Sequence, residues 1–221
     1  MKLAIFSDIH GNIMYLRSCL SKMTEYRIDK FIFLGDAVGY MPSIIEVLEL
    51  LRSINADCLM GNHEAMLLGK LTLDRKKDVV YNIEKSKGQL DFKNLQYISS
   101  WLPFKEWHID KCKLLFVHGA PWNPLNGYVY EKDLQPDDNY SQFNFVFMGH
   151  IHRPYIKCNK NTTFVNVGSC GLPRDYGNMP SFAILDTKTC ECNIIRLKLN
   201  VAHYKFEKMD LHESVISCLY R

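Results

Sequence analysis

No stretch of this sequence approaches the roughly 18 consecutive apolar residues of a membrane-spanning helix, so no membrane partner is expected. An excess of charge of one sign is also missing. Lys and Arg number 27 against 24 Asp and Glu, a formal net charge of +3. That is too little to argue for nucleic acid or a lipid surface as a partner. Closely spaced cysteines are missing apart from Cys190 and Cys192, and C-x-C is neither a zinc-knuckle nor a dithiol-oxidoreductase spacing. The eight cysteines are otherwise scattered. No internal repeat or low-complexity run is visible. Met1-Lys2 runs straight into strand-like Leu3-Ala4-Ile5-Phe6, without a basic-then-apolar leader. The expectation is therefore reduced thiols in a cytoplasmic protein. What is present is ordinary for an enzyme: 221 residues, 47% hydrophobic, enough for a single domain over residues 1–221 with a modest insertion.

The stretch that organises the rest is Phe31-Ile32-Phe33-Leu34-Gly35-Asp36. Its apolar run reads as a buried strand, and Gly35 lets the backbone turn at the strand's end. Asp36 then stands at the carboxyl end of that strand, where open α/β sheets place their sites. Leu3 to Ser7 reads as an earlier strand ending in Asp8-Ile9-His10. A helix follows over about Ile13 to Glu25, with Ile13, Leu16, Leu20 and Met23 on one stripe. The unit is βαβ, so its two strands are expected to be parallel. Ser43, with Glu46 three residues on, reads as a capping box opening a second helix. Ala56 to Met60 is a third strand, ending at Gly61-Asn62-His63-Glu64.

Residues from about 64 to 105 read as a helical insertion, with helices over 64–71, 74–87 and 91–101. The middle one carries Arg75, Lys76, Lys77, Lys85 and Lys87, read as a solvated face before a polyanion surface. A hairpin is expected around Asp110-Lys111-Cys112, its second strand ending at His118. Residues 120–143 read as a loop, placed to touch a substrate. Phe145 to Met148 is a strand ending at Gly149-His150-Ile151-His152. Short strands follow at 163–167, 181–185 and 193–197, and the chain from Ala202 onward reads as helical.

One His or Asp after a strand means little. Here six segments each bring a metal-competent side chain, nearly all just after an apolar run, and all can converge at one sheet edge. That set is hard to explain as packing. His-rich mixed nitrogen and oxygen ligation suits Mn, Fe, Zn, Co or Ni better than Ca.

Asp8-x-His10, Gly35-Asp36, Gly61-Asn62-His63-Glu64, His118 and Gly149-His150-x-His152 resemble, in order and spread, the calcineurin-like metallophosphoesterase superfamily. The likeness runs from residue 1 to about 186. Gly35-Asp36-Ala37-Val38-Gly39-Tyr40 and the run Asn166 to Asp175 also resemble its small bacterial and archaeal phosphodiesterase-like branch. The resemblance implies a four-layer αββα sandwich of two mixed sheets flanked by helices. It implies two divalent transition-metal ions, with Mn expected first. One would be held by Asp8, His10, Asp36 and His152, the other by Asp36, Asn62, His118 and His150. It also implies in-line attack on phosphorus by a hydroxide bridging the metals. Two divalent ions against two carboxylates and one hydroxide leave a net charge of about +1, which attracts a phosphate.

The resemblance makes His63 the group that protonates the leaving oxygen or binds the phosphate, with Asn62 beside it in substrate binding. Glu64 reads as structural, an acid in a helix's first turn. Asn12 either faces the site or caps a helix. Ser/Thr phosphatases and diadenosine tetraphosphatases of this superfamily carry Asp-Arg-Gly after Gly-Asp. This chain has Gly39-Tyr40-Met41 there, so the acid that would orient His63 and the arginine that would grip phosphate are missing. Arg174 could supply the positive charge, or be a solvated turn residue beside Asp175.

The expected activity is hydrolysis of a phosphodiester or a small phosphomonoester, with a small molecule or nucleotide as substrate rather than nucleic acid. Two alternatives stand beside it. One is a metal-dependent nuclease using the 64–105 helices. The other is a non-catalytic protein-binding scaffold, a use of this fold in a trafficking-complex subunit that lacks the catalytic histidine. Both a monomer and a homodimer are compatible with the sequence.

Overall fold

The computed structural model describes residues 1–134 and 138–221. Residues 135–137 of the expected 120–143 loop lie outside the described residues. Among the described residues ten strands form two sheets of five. The first has the order β10 (Glu191–Arg196), β9 (Ser181–Asp186), β1 (Lys2–Phe6), β2 (Lys30–Phe33), β3 (Asp57–Cys58). Its β1, β2 and β3 are parallel and its other pairs antiparallel. The second has the order β4 (Phe104–Ile109), β5 (Cys112–Val117), β6 (Phe145–Met148), β8 (Thr162–Asn166), β7 (Tyr155–Asn159). Here β5, β6 and β8 are parallel, with an antiparallel strand at each edge.

The apolar runs are continuous because the central strands are buried on both faces. Leu3 and Ile5 of β1, Ile32 of β2, Leu114 and Phe116 of β5, and Phe145 and Phe147 of β6 meet between the sheets. The alternate residues Ala4, Phe6 and Phe33 pack outward under helices. Those helices are α1 (Ile13–Met23), α2 (Ile44–Ser53), α3 (Asn62–Leu67), α5 (Ile83–Lys87) and α6 (Phe92–Ser99), with α4 (Arg75–Tyr81) between α3 and α5. Burying each large side chain contributes about 1.5–3 kcal/mol. On the far side Leu115, Val117, Val146 and Met148 are covered by Val129, Leu134, Phe143 and Ile151. That outermost layer holds 3-10 turns at Glu131–Asp133 and Asp138–Tyr140. The αββα order is thus present, with a thin fourth layer.

The chain departs from its sequence pattern at particular places. The expected third strand is shortened to Asp57–Cys58 because Met60 N–H turns away to Leu102 O, at 2.9 Å. Ser43 precedes α2, but its side chain makes no cap bond. The 74–87 helix breaks at Asn82, which is left-handed at φ 56°, and Asp78 Oδ1 takes the Ile83 amide at 2.6 Å. Beyond Ala202 only α7 (Glu213–Leu219) is α-helical, after 3-10 turns at Val201–Tyr204 and Phe206–Lys208. Arg75, Lys76 and Lys77 are exposed on α4. Among the described residues no helix is long and apolar enough to cross a membrane.

Candidate metal centre

The loops after β1, β2, β3, β5 and β6 converge at one end of the sandwich. They bring together Asp8, His10, Asp36, Asn62, His63, His118, His150 and His152, each at most 7% exposed. Parallel strands make this convergence: strands that run the same way deliver the loops after them to the same edge. Five of these residues, Asp8, His10, Asp36, His150 and His152, have positive φ between 51° and 66°. Each such backbone costs roughly 1–3 kcal/mol and persists only where the surroundings fix it. Ser169 supplies part of that fixing: its hydroxyl donates to Asp8 O at 2.7 Å and accepts from the Leu172 amide at 2.7 Å.

Three triads have ligand atoms mutually within 4.8 Å: Asp8, His10 and His152; His10, Asp36 and His63; Asp36, His118 and His150. His152 Nε2 lies 3.1 Å from both Asp8 Oδ1 and His10 Nε2. His118 Nε2 lies 2.9 Å from Asn62 Oδ1, 3.1 Å from His150 Nδ1 and 3.4 Å from Asp36 Oδ2. Donor atoms bound to one ion at about 2.1 Å stand about 3–3.4 Å apart, so these spacings suit ligands of shared cations. Asp8 Oδ1 is buried and accepts no well-aligned hydrogen bond, even from His152 Nε2 at 3.1 Å, which fits an atom meant for a cation. The nitrogens facing away are tied down in His10 and His152, whereas His118 Nδ1 and His150 Nε2 are buried without a partner. His10 Nδ1 meets Val38 O at 3.1 Å and His152 Nδ1 meets Leu172 O at 2.5 Å. Such contacts fix tautomer and ring orientation for a ligand nitrogen.

Asp36 Oδ2 faces both groups, 3.7 Å from His10 Nε2 and 3.4 Å from His118 Nε2. Its Oδ1 accepts the His63 amide at 2.9 Å, and Asp8 Oδ2 accepts the His150 amide at 2.9 Å. Each carboxylate therefore keeps one oxygen for the cluster. Burial works against charge on Asp8 and Asp36, but the imidazoles around them outweigh it and hold both below the usual carboxylate range. Burial pushes His150 down to about 3 and His152 down to about 4, leaving neutral rings that can act as ligands. His118 goes the other way, to about 9, because Asp36 and Asp8 outweigh its burial. A divalent cation bound there would compete with that proton.

Glu64 is fully buried, and its carboxylate is the anchor of the Asp36 loop. Oε2 accepts the Asp36 amide at 2.8 Å and the Gly61 amide at 2.9 Å. Oε1 accepts Ala37 at 2.7 Å and Val38 at 3.2 Å. Burial and the nearby Asp36 charge push Glu64 up to about 7, yet all four partners are donors, which only the carboxylate satisfies fully. The structural reading of Glu64 holds, with a larger task than a helix-terminal charge. Asn12 caps α1, taking the Tyr15 amide at 3.1 Å and donating to Gly171 O at 2.7 Å.

His63 Nε2 lies 3.9 Å from Asp36 Oδ2, and burial holds the ring well below its ordinary basicity. No acid partners its Nδ1. Aromatic rings surround it instead: Tyr40 at 5.1 Å and 24°, and Tyr81 at 4.9 Å. Sequence reasoning missed both tyrosines as site residues. Tyr81 is brought there by the break at Asn82, which periodicity does not reveal. A third, Tyr128, lies 4.2 Å from the His150 ring and is half-exposed. It falls in the loop expected to touch substrate. Arg174 does not pair with Asp175, which binds Arg196 through two contacts of 2.7 and 3.0 Å. Its Nη2 donates instead to Tyr40 Oη at 3.1 Å.

Residues 1–190 match the model of the calcineurin-like phosphoesterase superfamily domain. An uncharacterized protein of Methanocaldococcus jannaschii is 30% identical over 96% of this chain and 94% of its own length. A metallophosphoesterase from Sphaerobacter thermophilus superposes with a TM-score of 0.77 at 25% identity, over 99% of this chain and 98% of that one. A hypothetical protein from Pyrococcus horikoshii superposes with a TM-score of 0.82 at 21% identity, over 100% and 98% of the two chains, a likeness of fold.

Proposed function

The chain belongs to the calcineurin-like phosphoesterase superfamily, and from that premise we propose that it is a dinuclear-metal hydrolase of phosphodiester or small phosphomonoester bonds. The observation that carries the reading is the placement of Asp36 Oδ2 between two ligand groups, 3.7 Å from His10 Nε2 and 3.4 Å from His118 Nε2. Asp8, His10, His152 and Asp36 would hold one divalent ion. Asp36, Asn62, His118 and His150 would hold the other. Two such ions supply Lewis acidity and an activated water for in-line displacement at phosphorus. Mn is the first expectation, with Fe, Zn, Ni or Co also suited to the donor set.

The chain's own residues do the rest. Glu64 and Ser169 hold the strained loops, so the ligand atoms stay in place without reorganising. His63 stands beside the cluster at 3% exposure, shielded from bulk water, where its neutral ring binds the phosphoryl group through an N–H or, once the incoming phosphate's negative charge raises its basicity, protonates the leaving oxygen. A small ester or nucleotide is the favoured substrate class, because a net charge of +3 gives little pull on a polyanion.

The test is turnover of bis(p-nitrophenyl) phosphate and p-nitrophenyl phosphate by metal-stripped protein, with Mn²⁺, Ni²⁺, Zn²⁺ or Mg²⁺ restored in turn. Restored turnover that Asp36→Asn abolishes is the expected result. Absence of turnover with every metal, despite bound metal, would move the reading to the non-catalytic scaffold.

A further inference from the structure

Where relatives of the phosphatase type carry an acid and an arginine, this chain carries Tyr40, and its surroundings are unusual. Gly39 and Tyr40 both have positive φ, at 86° and 58°. The Tyr40 amide donates to Tyr81 O at 2.6 Å, and Asn82 Nδ2 donates to Tyr40 O at 3.1 Å. The backbone is therefore locked to the α4–α5 break. The ring stacks on His63 and meets the His10 ring edge-on at 4.7 Å and 79°. A Cβ on Gly39 would stand 2.3 Å from His63 Nδ1. His63 is thus confined by glycine on one side and tyrosine rings on its faces, with no hydrogen bond at Nδ1.

The Tyr40 hydroxyl has a separate task. Arg174 reaches it from the loop between β8 and β9, where the Arg174 amide donates to His152 O at 3.1 Å and Nη2 donates to Tyr40 Oη at 3.1 Å. The side chain thereby spans from His152 to a ring that touches both His10 and His63. Among the described residues no carboxylate lies within 4.0 Å of its guanidinium, since Asp175 is taken by Arg196. A half-buried guanidinium with one neutral partner retains most of its N–H donors. Those free donors are not buried away from water, so an incoming anion can reach them.

We propose that Tyr40 is a positioning residue with two separable functions: its ring fixes His63, and its hydroxyl holds Arg174 where the guanidinium receives a non-bridging oxygen of an anionic phosphoryl group. The proposal rests on the phosphoesterase reading above. The bound group is a phosphate ester or inorganic phosphate, gripped in fork geometry.

The experiment uses the Mn²⁺-loaded protein and its Tyr40→Phe, Tyr40→Leu, Arg174→Ala and Tyr40→Phe/Arg174→Ala forms, each first shown to be folded by circular dichroism. Two quantities are read: inorganic phosphate affinity by calorimetry, and kcat and KM on bis(p-nitrophenyl) phosphate. Arg174→Ala should weaken phosphate binding and raise KM about 10- to 100-fold. Tyr40→Phe should do so about 3- to 10-fold with kcat kept, and should add nothing once Arg174 is gone. Tyr40→Leu should also lower kcat by about 10-fold or more, because His63 loses its stacking partner. Additive effects of Tyr40→Phe and Arg174→Ala, or unchanged phosphate affinity in Arg174→Ala, would overturn the proposal. Were the wild type to turn over no ester with any metal, the phosphoesterase reading would fail. The phosphate affinities alone would then decide the coupling of Tyr40 to Arg174.

Discussion

Glu64→Gln is the substitution whose consequence the structure lets us work out in most detail. The wild-type carboxylate takes four buried amides, two on each oxygen. Glutamine keeps the shape but presents one acceptor and one donor group. With its NH2 at the Oε2 position, the amides of Asp36 and Gly61 face a donor. With the amide flipped, those of Ala37 and Val38 do. Either way two buried N–H groups lose their acceptor, at about 1–3 kcal/mol each. The total is about 2–6 kcal/mol. For a chain of this size each kcal/mol moves Tm by roughly 2–4 °C, so the fall should lie between about 4 and 24 °C. Thermal unfolding of the metal-free protein followed by circular dichroism measures it. The metal-loaded form should lose turnover as well, since Asp36 sits on the loop that Glu64 holds. A Tm within about 2 °C of wild type would refute the reasoning, because it would mean that the four contacts do not carry the loop.

Gly39→Ala should lower both stability and ester turnover, because φ is 86° and the new Cβ would fall 2.3 Å from His63 Nδ1. Strain of this kind costs about 1–3 kcal/mol, and a Tm and kcat equal to wild type would remove the requirement. Asp57 accepts from Lys30 at 2.9 Å and Lys105 at 2.7 Å, joining the edges of the two sheets. Burial opposes its charge, but the two lysines win and hold it below its usual value. Its contribution is therefore present above the unfolded-state value and lost as pH falls through the lowered one. Asp57→Asn should cost about 0.5–1 kcal/mol at pH 7 and nothing in strong acid, and equal losses at both would contradict this. Cys112 and Cys190 face each other with sulfurs 2.8 Å apart, at the end of the sandwich opposite the metal centre. Glutathione disulfide should oxidise this pair first, taking two electrons and leaving six of the eight thiols titratable. Peptide mapping that finds Cys192 joined instead would show the facing to be incidental.

Much of this architecture can be read from the chain because the site is built at strand ends. Phe6, Leu34, Val117 and Met148 close apolar runs, and Asp8, Asp36, His118 and His150 follow within two residues. A run buried on both faces and a polar residue just past it are both local signals. What the sequence hides is conformational or long-range. The left-handed backbone of Asp8, His10, Asp36, His150 and His152 leaves only a weak trace in residue type: Asp and His tolerate it better than most side chains, but none is glycine and each occurs far more often with negative φ. The helix expected over 74–87 contains no proline or glycine to mark an interruption. Its break at Asn82 comes from Asp78 capping the next helix and from Tyr40 binding the Tyr81 carbonyl, a contact across 41 residues of sequence. Glu64 looks like any acid at the start of a helix until the Asp36 loop folds over it. Arg174 stands next to Asp175 in sequence, yet the neighbour it bonds is Tyr40, because Arg196 of β10 claims the carboxylate.

The central claim is that Asp36 joins two divalent ions, and metal stoichiometry tests it most directly. Metal-stripped wild-type protein and Asp36→Asn would be titrated with Mn²⁺, with free and bound metal separated and counted. The account predicts two equivalents per chain for the wild type and clear loss of affinity for both in Asp36→Asn. A single equivalent in the wild type, or two tightly held equivalents in Asp36→Asn, would contradict it.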